Sequence, residues 1–495
     1  MNYLPSIDQA IVLVYLATVV GLGLWLGRNK STTDEFMAGG RSLPGWAVGL
    51  SMFGSYISSL SYLANPGKSF SGNWNAFAFT MATPIAAIIA VYWLVPFYRR
   101  SGEVSAYEHM EHRFGPWART FSVVCFLLVQ LARTGAVVYL LALAVAPLTG
   151  WSVVTTIVIT GTAMTAYTFL GGIVAVVWTG VVQSAVLVAG MLVCLFAVIL
   201  ATPGGLPEIV QVGAEEGKFS LGSFGGSLTE STFWVVFAYG LIMNLGNFAT
   251  DQSYVQRYIS ARDDQEAKKS VWLTTWLYVP SAAIFFFIGT GLFVFYHLRP
   301  ELLGSISKPD EVLPTFISRE LPVGLAGLVI ASIFAASLDP NLNSMATLTY
   351  NDLYRRYWNP QASEREAIIV LRVATVGWGI LCIFVALAMI NAQTILDVWW
   401  KLAGVFSAPI LGLFLLGFIS RRVTSGPAAF ALVLGVIVIL WAELSPTGYW
   451  PEQWSAIKNP YNDLLTVVLG TLVIVVTGLV GQMIKRPFNS STNTG

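Results

Sequence analysis

Three stretches of the chain put oxygen or charge into an otherwise apolar sequence. Gly54-Ser55-Tyr56-Ile57-Ser58-Ser59-Leu60-Ser61 is a small, hydroxyl-rich run. Arg133 stands alone between Leu131-Ala132 and Thr134-Gly135. Ser337-Leu338-Asp339-Pro340-Asn341-Leu342-Asn343-Ser344 gathers a carboxylate, two amides and two hydroxyls around a proline. Carboxylate, amide, hydroxyl and carbonyl oxygens are ligands for a hard cation such as sodium, and a proline within a helix frees a backbone carbonyl. The fork of an arginine suits a carboxylate, which it can bind bidentately. Each stretch also has a plainer reading. Small residues let helices pack closely, Arg133 can answer a helix-end carbonyl or an internal acid, and Asp339 can cap a helix or bond between helices. The residues alone leave both readings open.

The setting decides how costly those groups are. Of 495 residues, 55% are hydrophobic and only 11% are charged, where a soluble domain carries about 25% charge; mean hydropathy is +0.68. Such a chain can neither cover a soluble globule nor remain disordered. Apolar runs long enough to cross a bilayer, roughly 20 residues each, lie near 8–27, 45–65, 75–98, 120–148, 152–170, 174–201, 233–252, 271–297, 322–350, 367–391, 396–418, 426–444 and 463–484. These runs are continuous, so the class is all-α and polytopic with about thirteen transmembrane helices, not a β-barrel. The hydroxyl-rich run, Arg133 and the Asp339 segment all fall at membrane depth, where a broken helix needs a cavity or an ion to satisfy its backbone. A guanidinium there costs at least about 2.5–3.5 kcal/mol. A second interruption is expected at Gly240, Asn244, Gly246 and Asn247. Paired broken helices in corresponding halves of a chain point to a binding site between them.

Nineteen Lys and Arg residues fall in the loops of one side and six in those of the other. By the positive-inside rule this places the N-terminus outside and the C-terminus in the cytoplasm, in the plasma (inner) membrane. The first run lacks a cleavage site and is read as a span. Twenty-seven basic and 26 acidic residues give a net charge of +1, which is no footprint for nucleic acid. Cys125, Cys194 and Cys382 lie apart in apolar runs, against a disulfide framework or thiolate metal site. His109-Met110-Glu111-His112 reads as a solvated amphipathic helix, and Gly171-Gly172 as a tight turn between spans. There is no phosphate-binding Gly-Lys-Ser loop, nucleophile elbow or nucleophile–base pair, so enzyme chemistry has no support.

Four segments resemble the sodium:solute symporter family, which includes sodium–glucose, proline and sialic acid carriers. They are Gly171-Gly172-Ile173 with Trp178-Thr179-Gly180-Val181-Val182-Gln183; Asp251-Gln252 with Val255-Gln256-Arg257-Tyr258; Ser337-Leu338-Asp339 with Leu342-Asn343-Ser344; and Ala408-Pro409-Ile410 with Gly417-Phe418. The resemblance implies a leucine-transporter-like inverted repeat of two five-helix units, with one helix before and two after. It divides the chain into 1–44, 45–201, 202–422 and 423–495. It also implies a sodium site made by the carbonyls of Gly54 and Ile57 with the Ala336 carbonyl and the Ser337 hydroxyl. Ser58 and Ser61 would touch the solute, joined by Asn247 from the second interruption. Arg133 matches the arginine that holds the substrate carboxylate in sialic acid carriers. Where some members carry an aspartate for a second sodium, this chain has Gly180, and Asp339 is the carboxylate that could replace it from another helix. Thr80 stands where some sialic acid carriers have glutamine and Tyr56 where a smaller residue is usual, which implies a bulkier, less polar pocket that would disfavour a glycerol-tailed sugar acid. The expected activity is sodium-coupled symport of a small polar organic solute into the cell by alternating access, with a carboxylated sugar such as sialic acid as the leading cargo and sodium as coupling ion. Partners would be the solute and the bilayer, and a monomer would suffice. A neutral sugar, polyol or amino acid is the alternative cargo, and a non-transporting sensor on the same fold the alternative of another class.

Overall fold

The computed structural model describes residues 5–27, 32–303, 308–337, 341–391, 395–447 and 450–484. Among the described residues it is helical without named strands, apart from one isolated bridge between Leu43 and Ala261. Helix occupies each of the expected spans. In chain order these are α1 (Ser6–Gly27), α2 (Gly45–Tyr56) with α3 (Ser59–Ser71), the segmented run α4 (Trp74–Ser101), the short α5 (Glu108–Phe114), α6 (Pro116–Thr149), α7 (Val153–Ala201), α8 (Phe233–Thr250) with α9 (Gln252–Ser260), α10 (Asp264–Leu298), α11 (Leu325–Ser337) with α12 (Asn341–Leu348), α13 (Glu364–Ala388), α14 (Ile395–Ile419), α15 (Ser425–Leu444) and α16 (Leu465–Ile484). Among the described residues, ten helices are long and apolar enough to cross a membrane, and Val153–Phe169 and Gly404–Ile419 are shorter apolar ones.

α7 holds two of the expected spans. Gly172, at φ +51° and ψ −152°, bends the chain between them. A Cβ there would lie 2.6 Å from the Phe36 carbonyl oxygen, so both the dihedral and the space demand glycine. α1 packs on α7 and α11, and its buried Asp8 accepts the N–H groups of Gly324 and Gly327, each at 2.7 Å. That carboxylate meets the positive end of α11. α5 is less solvated than its sequence suggests. Met110 is buried, and the His109 ring sits 4.7 Å from Phe97. Burial, and then the Arg113 charge, push His109 down to about 4, so it is neutral.

α2 lies against both α7 and α10. Its approach to α7 runs over two glycines. A Cβ on Gly54 would meet the Ser184 hydroxyl oxygen at 2.8 Å, and one on Gly180 would meet Ser51 Oγ at 2.5 Å and Ser51 Cα at 3.0 Å. The Ser184 hydroxyl donates to the Leu50 carbonyl at 2.6 Å, closing the same contact. The space that a carboxylate at position 180 would need is therefore filled by α2 itself. Gly180→Asp is expected to destabilise the protein by about 1–3 kcal/mol through overpacking, read as a lowered melting temperature in detergent. Adding Ser51→Gly should recover part of the loss. An unchanged melting temperature in the single variant would contradict this packing.

Candidate functional site

The hydroxyl-rich run does break its helix. α2 ends at Tyr56, Ile57 takes φ −96° and ψ 91°, Ser58 takes φ −87° and ψ 172°, and α3 begins at Ser59. Ile57 N–H still bonds the Phe53 carbonyl at 3.2 Å, but among the described residues no backbone N–H reaches the carbonyls of Gly54 or Ile57. These are the two carbonyls that the resemblance implies as sodium ligands. Across from them, α11 touches α2 and ends at Ala336 and Ser337, both buried. The Ser337 hydroxyl turns back on the Ile333 carbonyl at 2.8 Å. The Ala336 carbonyl cannot receive the usual helical N–H four residues on, because that residue is Pro340. Carbonyl and hydroxyl oxygens are neutral ligands suited to a monovalent hard cation. Asp339 lies outside the described residues, with Leu338 and Pro340.

The second interruption is real but lies further along. α8 is continuous through Gly240, Asn244, Gly246 and Asn247, and it breaks at Asp251, at φ −80° and ψ 111°. Gly240 serves packing instead: a Cβ there would meet the Phe79 backbone at 2.6 Å, and the Asn244 amide donates to the Gly240 carbonyl at 2.7 Å. The carbonyls next to this break are taken. Tyr258 donates to Phe248, Tyr98 to Ala249 and Tyr107 to Thr250, at 2.9, 2.5 and 2.7 Å. Asp251 caps α9 by accepting the Ser253 N–H at 2.8 Å, and it also accepts the Ser253 hydroxyl. Gln252 then binds the loop before α5 through the Val104 carbonyl and the Ala106 N–H, at 2.8 and 2.7 Å.

Arg133, on α6, joins the two breaks. Its Nη2 donates to the Ser55 carbonyl at 3.3 Å, and its Nη1 lies 3.9 Å from the Asp251 carboxylate. Both a helix-end carbonyl and an internal acid therefore face the guanidinium. One turn away on α6, Gln130 donates to the same carboxylate at 2.9 Å, and its oxygen accepts the Asn341 amide of α12 at 2.8 Å. Gln130, Asn247 and Asp251 line a cavity with about 460 Å³ of empty space, walled by apolar residues that include Ile242, Leu411 and Val467.

The other expected residues gather around one aromatic ring. Tyr56 packs against Tyr278, Tyr254 and Phe248, with centroids 4.8, 5.0 and 5.8 Å apart. Thr80 reaches the Tyr278 hydroxyl at 3.5 Å. Ser58 is buried at the break and Ser61 is half-buried one turn along α3. None of Tyr56, Ser58, Ser61 or Thr80 lines the cavity; of the expected set, Asn247 does. Asp251 and Gln130 were not among the expected site residues. The signal for Asp251 was available, since an ionisable residue in an apolar span is a functional candidate by default.

The sodium:solute symporter family model matches residues 36–435. The sodium/sialic acid symporter NanT of Aliivibrio fischeri is 31% identical over 494 residues, covering 98% of this chain and 95% of that protein. The solved structure of a sodium-coupled sialic acid symporter in a substrate-bound outward-open state matches with a TM-score of 0.90 at 29% identity, covering 97% of this chain and 98% of that one. Mhp1, a nucleobase–cation symporter, shares the fold at a TM-score of 0.53 and 14% identity. With the match running from before the first broken helix to beyond α14, the chain belongs to the sodium:solute symporter family: it is a multi-pass membrane transporter, not an enzyme, and it couples the movement of a small solute to sodium.

Proposed function

We propose that the protein carries sialic acid, or a closely related carboxylated sugar, into the cell with sodium, and that Arg133 holds the carboxylate. The observation that carries this reading is the place of the guanidinium. It bonds the carbonyl of Ser55, the residue between Gly54 and the kink, and it faces the second break at Asp251. Sodium held by Gly54, Ile57, Ala336 and Ser337 would fix the backbone on which Arg133 rests. Ion and solute would then each favour the geometry the other needs, which is all that coupling requires. Asn247 would meet the sugar from the cavity, and Tyr56, Ser58, Ser61 and Thr80 would meet it from the first break, outside that cavity. Similarity to sialic acid symporters over nearly the full length supports the choice of solute.

On this reading residues 45–201 and 202–422 are the two repeats, preceded by 1–44 and followed by 423–495. The protein works as a monomer in the plasma membrane, with its N-terminus outside and no nucleic-acid partner. With glycine at 180 against Ser51, one sodium accompanies each solute. One sodium and one solute carboxylate crossing together carry no net charge, so the sodium concentration gradient alone drives accumulation, about tenfold for each 1.4 kcal/mol it supplies.

Two measurements test this. Arg133→Ala should weaken sialic acid binding by about 30-fold or more, the cost of truncating one partner of a buried charge pair, with little effect on any uncharged ligand. Unchanged affinity would remove the clamp. In proteoliposomes, uptake of one sodium with each sialic acid anion should be electroneutral and carry no current; a net positive charge entering with each sialic acid would reject the single-ion assignment.

A further inference from the structure

The cavity beside the second break is closed on one side by a short piece of chain. Phe126 and Thr250 both line the cavity, and Tyr107 lies against both. Its ring centroid is 6.0 Å from that of Phe126, and its hydroxyl donates to the Thr250 carbonyl at 2.7 Å. Tyr107 ends the loop between α4 and α5. Ser105, Ala106 and Tyr107 are buried, whereas Ser101 and Gly102 are exposed. Three buried residues therefore stand between the cavity and the exposed end of the loop.

The loop has two seams of different strength. Toward α6 and the chain beyond α12 it is held by charge. Ser105 donates to the buried Asp352 carboxylate at 2.7 Å, and Arg119 of α6 bonds the same carboxylate. Arg119 also meets Glu108 and Glu111 of α5, at 3.1 and 3.0 Å. Toward α8 and α9 the loop is held by neutral bonds. Gln252, fully buried, donates to the Val104 carbonyl and accepts the Ala106 N–H, at 2.8 and 2.7 Å, next to the bond from Tyr107 to Thr250. Charge-assisted hydrogen bonds are roughly twice as strong as neutral ones, so the neutral seam is the one that parts. Gly102 at φ +72° and Gly115 at φ +99° flank the segment, and glycines there can absorb a change of backbone angle.

We infer that the Val104–Tyr107 loop is the gate of the cavity on its own side of the membrane, with Tyr107 as the plug and Gln252 as the latch that holds α9 against it. In the orientation proposed above that side is the cytoplasm, so the gate governs release of the solute; the inference depends on that reading only for which side it is. When the Gln252 bonds part, the start of α9 separates from the loop and a path opens past Tyr107. The charged seam meanwhile keeps the loop on α6.

The test uses Thr250→Cys as a reporter, because Tyr107 bonds the backbone of residue 250 and not its side chain. The three native cysteines are buried. A membrane-impermeant thiol reagent is applied to right-side-out and to inside-out membrane vesicles. Adding Gln252→Ala should raise the labelling rate about tenfold or more from the cytoplasmic face, two buried hydrogen bonds having been lost, without raising it from the other face. Tyr107→Phe, which keeps the ring and removes one bond, should raise it about fivefold on the same face. A merely structural loss would not distinguish the faces. Labelling that is unchanged on both faces, or raised on both, overturns the inference, and Tyr107→Phe decides by the same criteria if Gln252→Ala does not fold. A rise confined to the opposite face would uphold the gate and overturn the proposed orientation.

Discussion

A guanidinium at membrane depth must be answered by oxygen, and in this protein the answer comes from two broken helices at once. Arg133 bonds the Ser55 carbonyl beside the first break and faces the Asp251 carboxylate at the second. Removing either partner would leave part of its charge unmet in a medium that supplies little water. The arginine therefore ties α2, α6 and α9 into one electrostatic unit. Gln130 extends the unit to Asn341, so that α12 belongs to it as well. Whatever alters one member changes what the others must satisfy.

The two breaks play different parts because their carbonyls have different partners. At the second, three consecutive carbonyls are closed by Tyr258, Tyr98 and Tyr107, each such bond contributing about 1 kcal/mol net. That break has little peptide oxygen left for an ion and much holding it in place. At the first, the Gly54 and Ile57 carbonyls receive no backbone N–H among the described residues. Their helix touches α11, whose Ala336 carbonyl cannot take the usual helical N–H because the residue four on is Pro340. Among the described residues, peptide oxygen without a backbone donor is thus found at the first break and a braced joint at the second.

The fold was largely legible in the sequence, because apolar length and charge asymmetry are properties of each span taken alone. So was the first break, where serines crowd a short run at membrane depth. The second was placed too early. Gly240 and Asn244 look like an interruption in sequence, but their small size and amide serve contacts with Phe79 and the helix's own backbone. The groups that hold the true break, Tyr98 and Tyr107, are more than a hundred residues away, and nothing local announces them. Asp251 was visible as part of a motif, yet its partnership with Arg133 depends on a crossing of helices that periodicity does not encode. Gly180 shows the opposite case. Its missing carboxylate was plain from the resemblance, and Ser51 gives it a cause, since helix packing has taken the space.

The central claim is that an ion held by the opened first helix positions the residues that hold the solute. It is tested most directly by titrating sialic acid into purified protein in NaCl and in equimolar choline chloride. The account predicts affinity at least about tenfold higher with sodium, a coupling within the usual range for linked sites. Equal affinity in the two salts would contradict it.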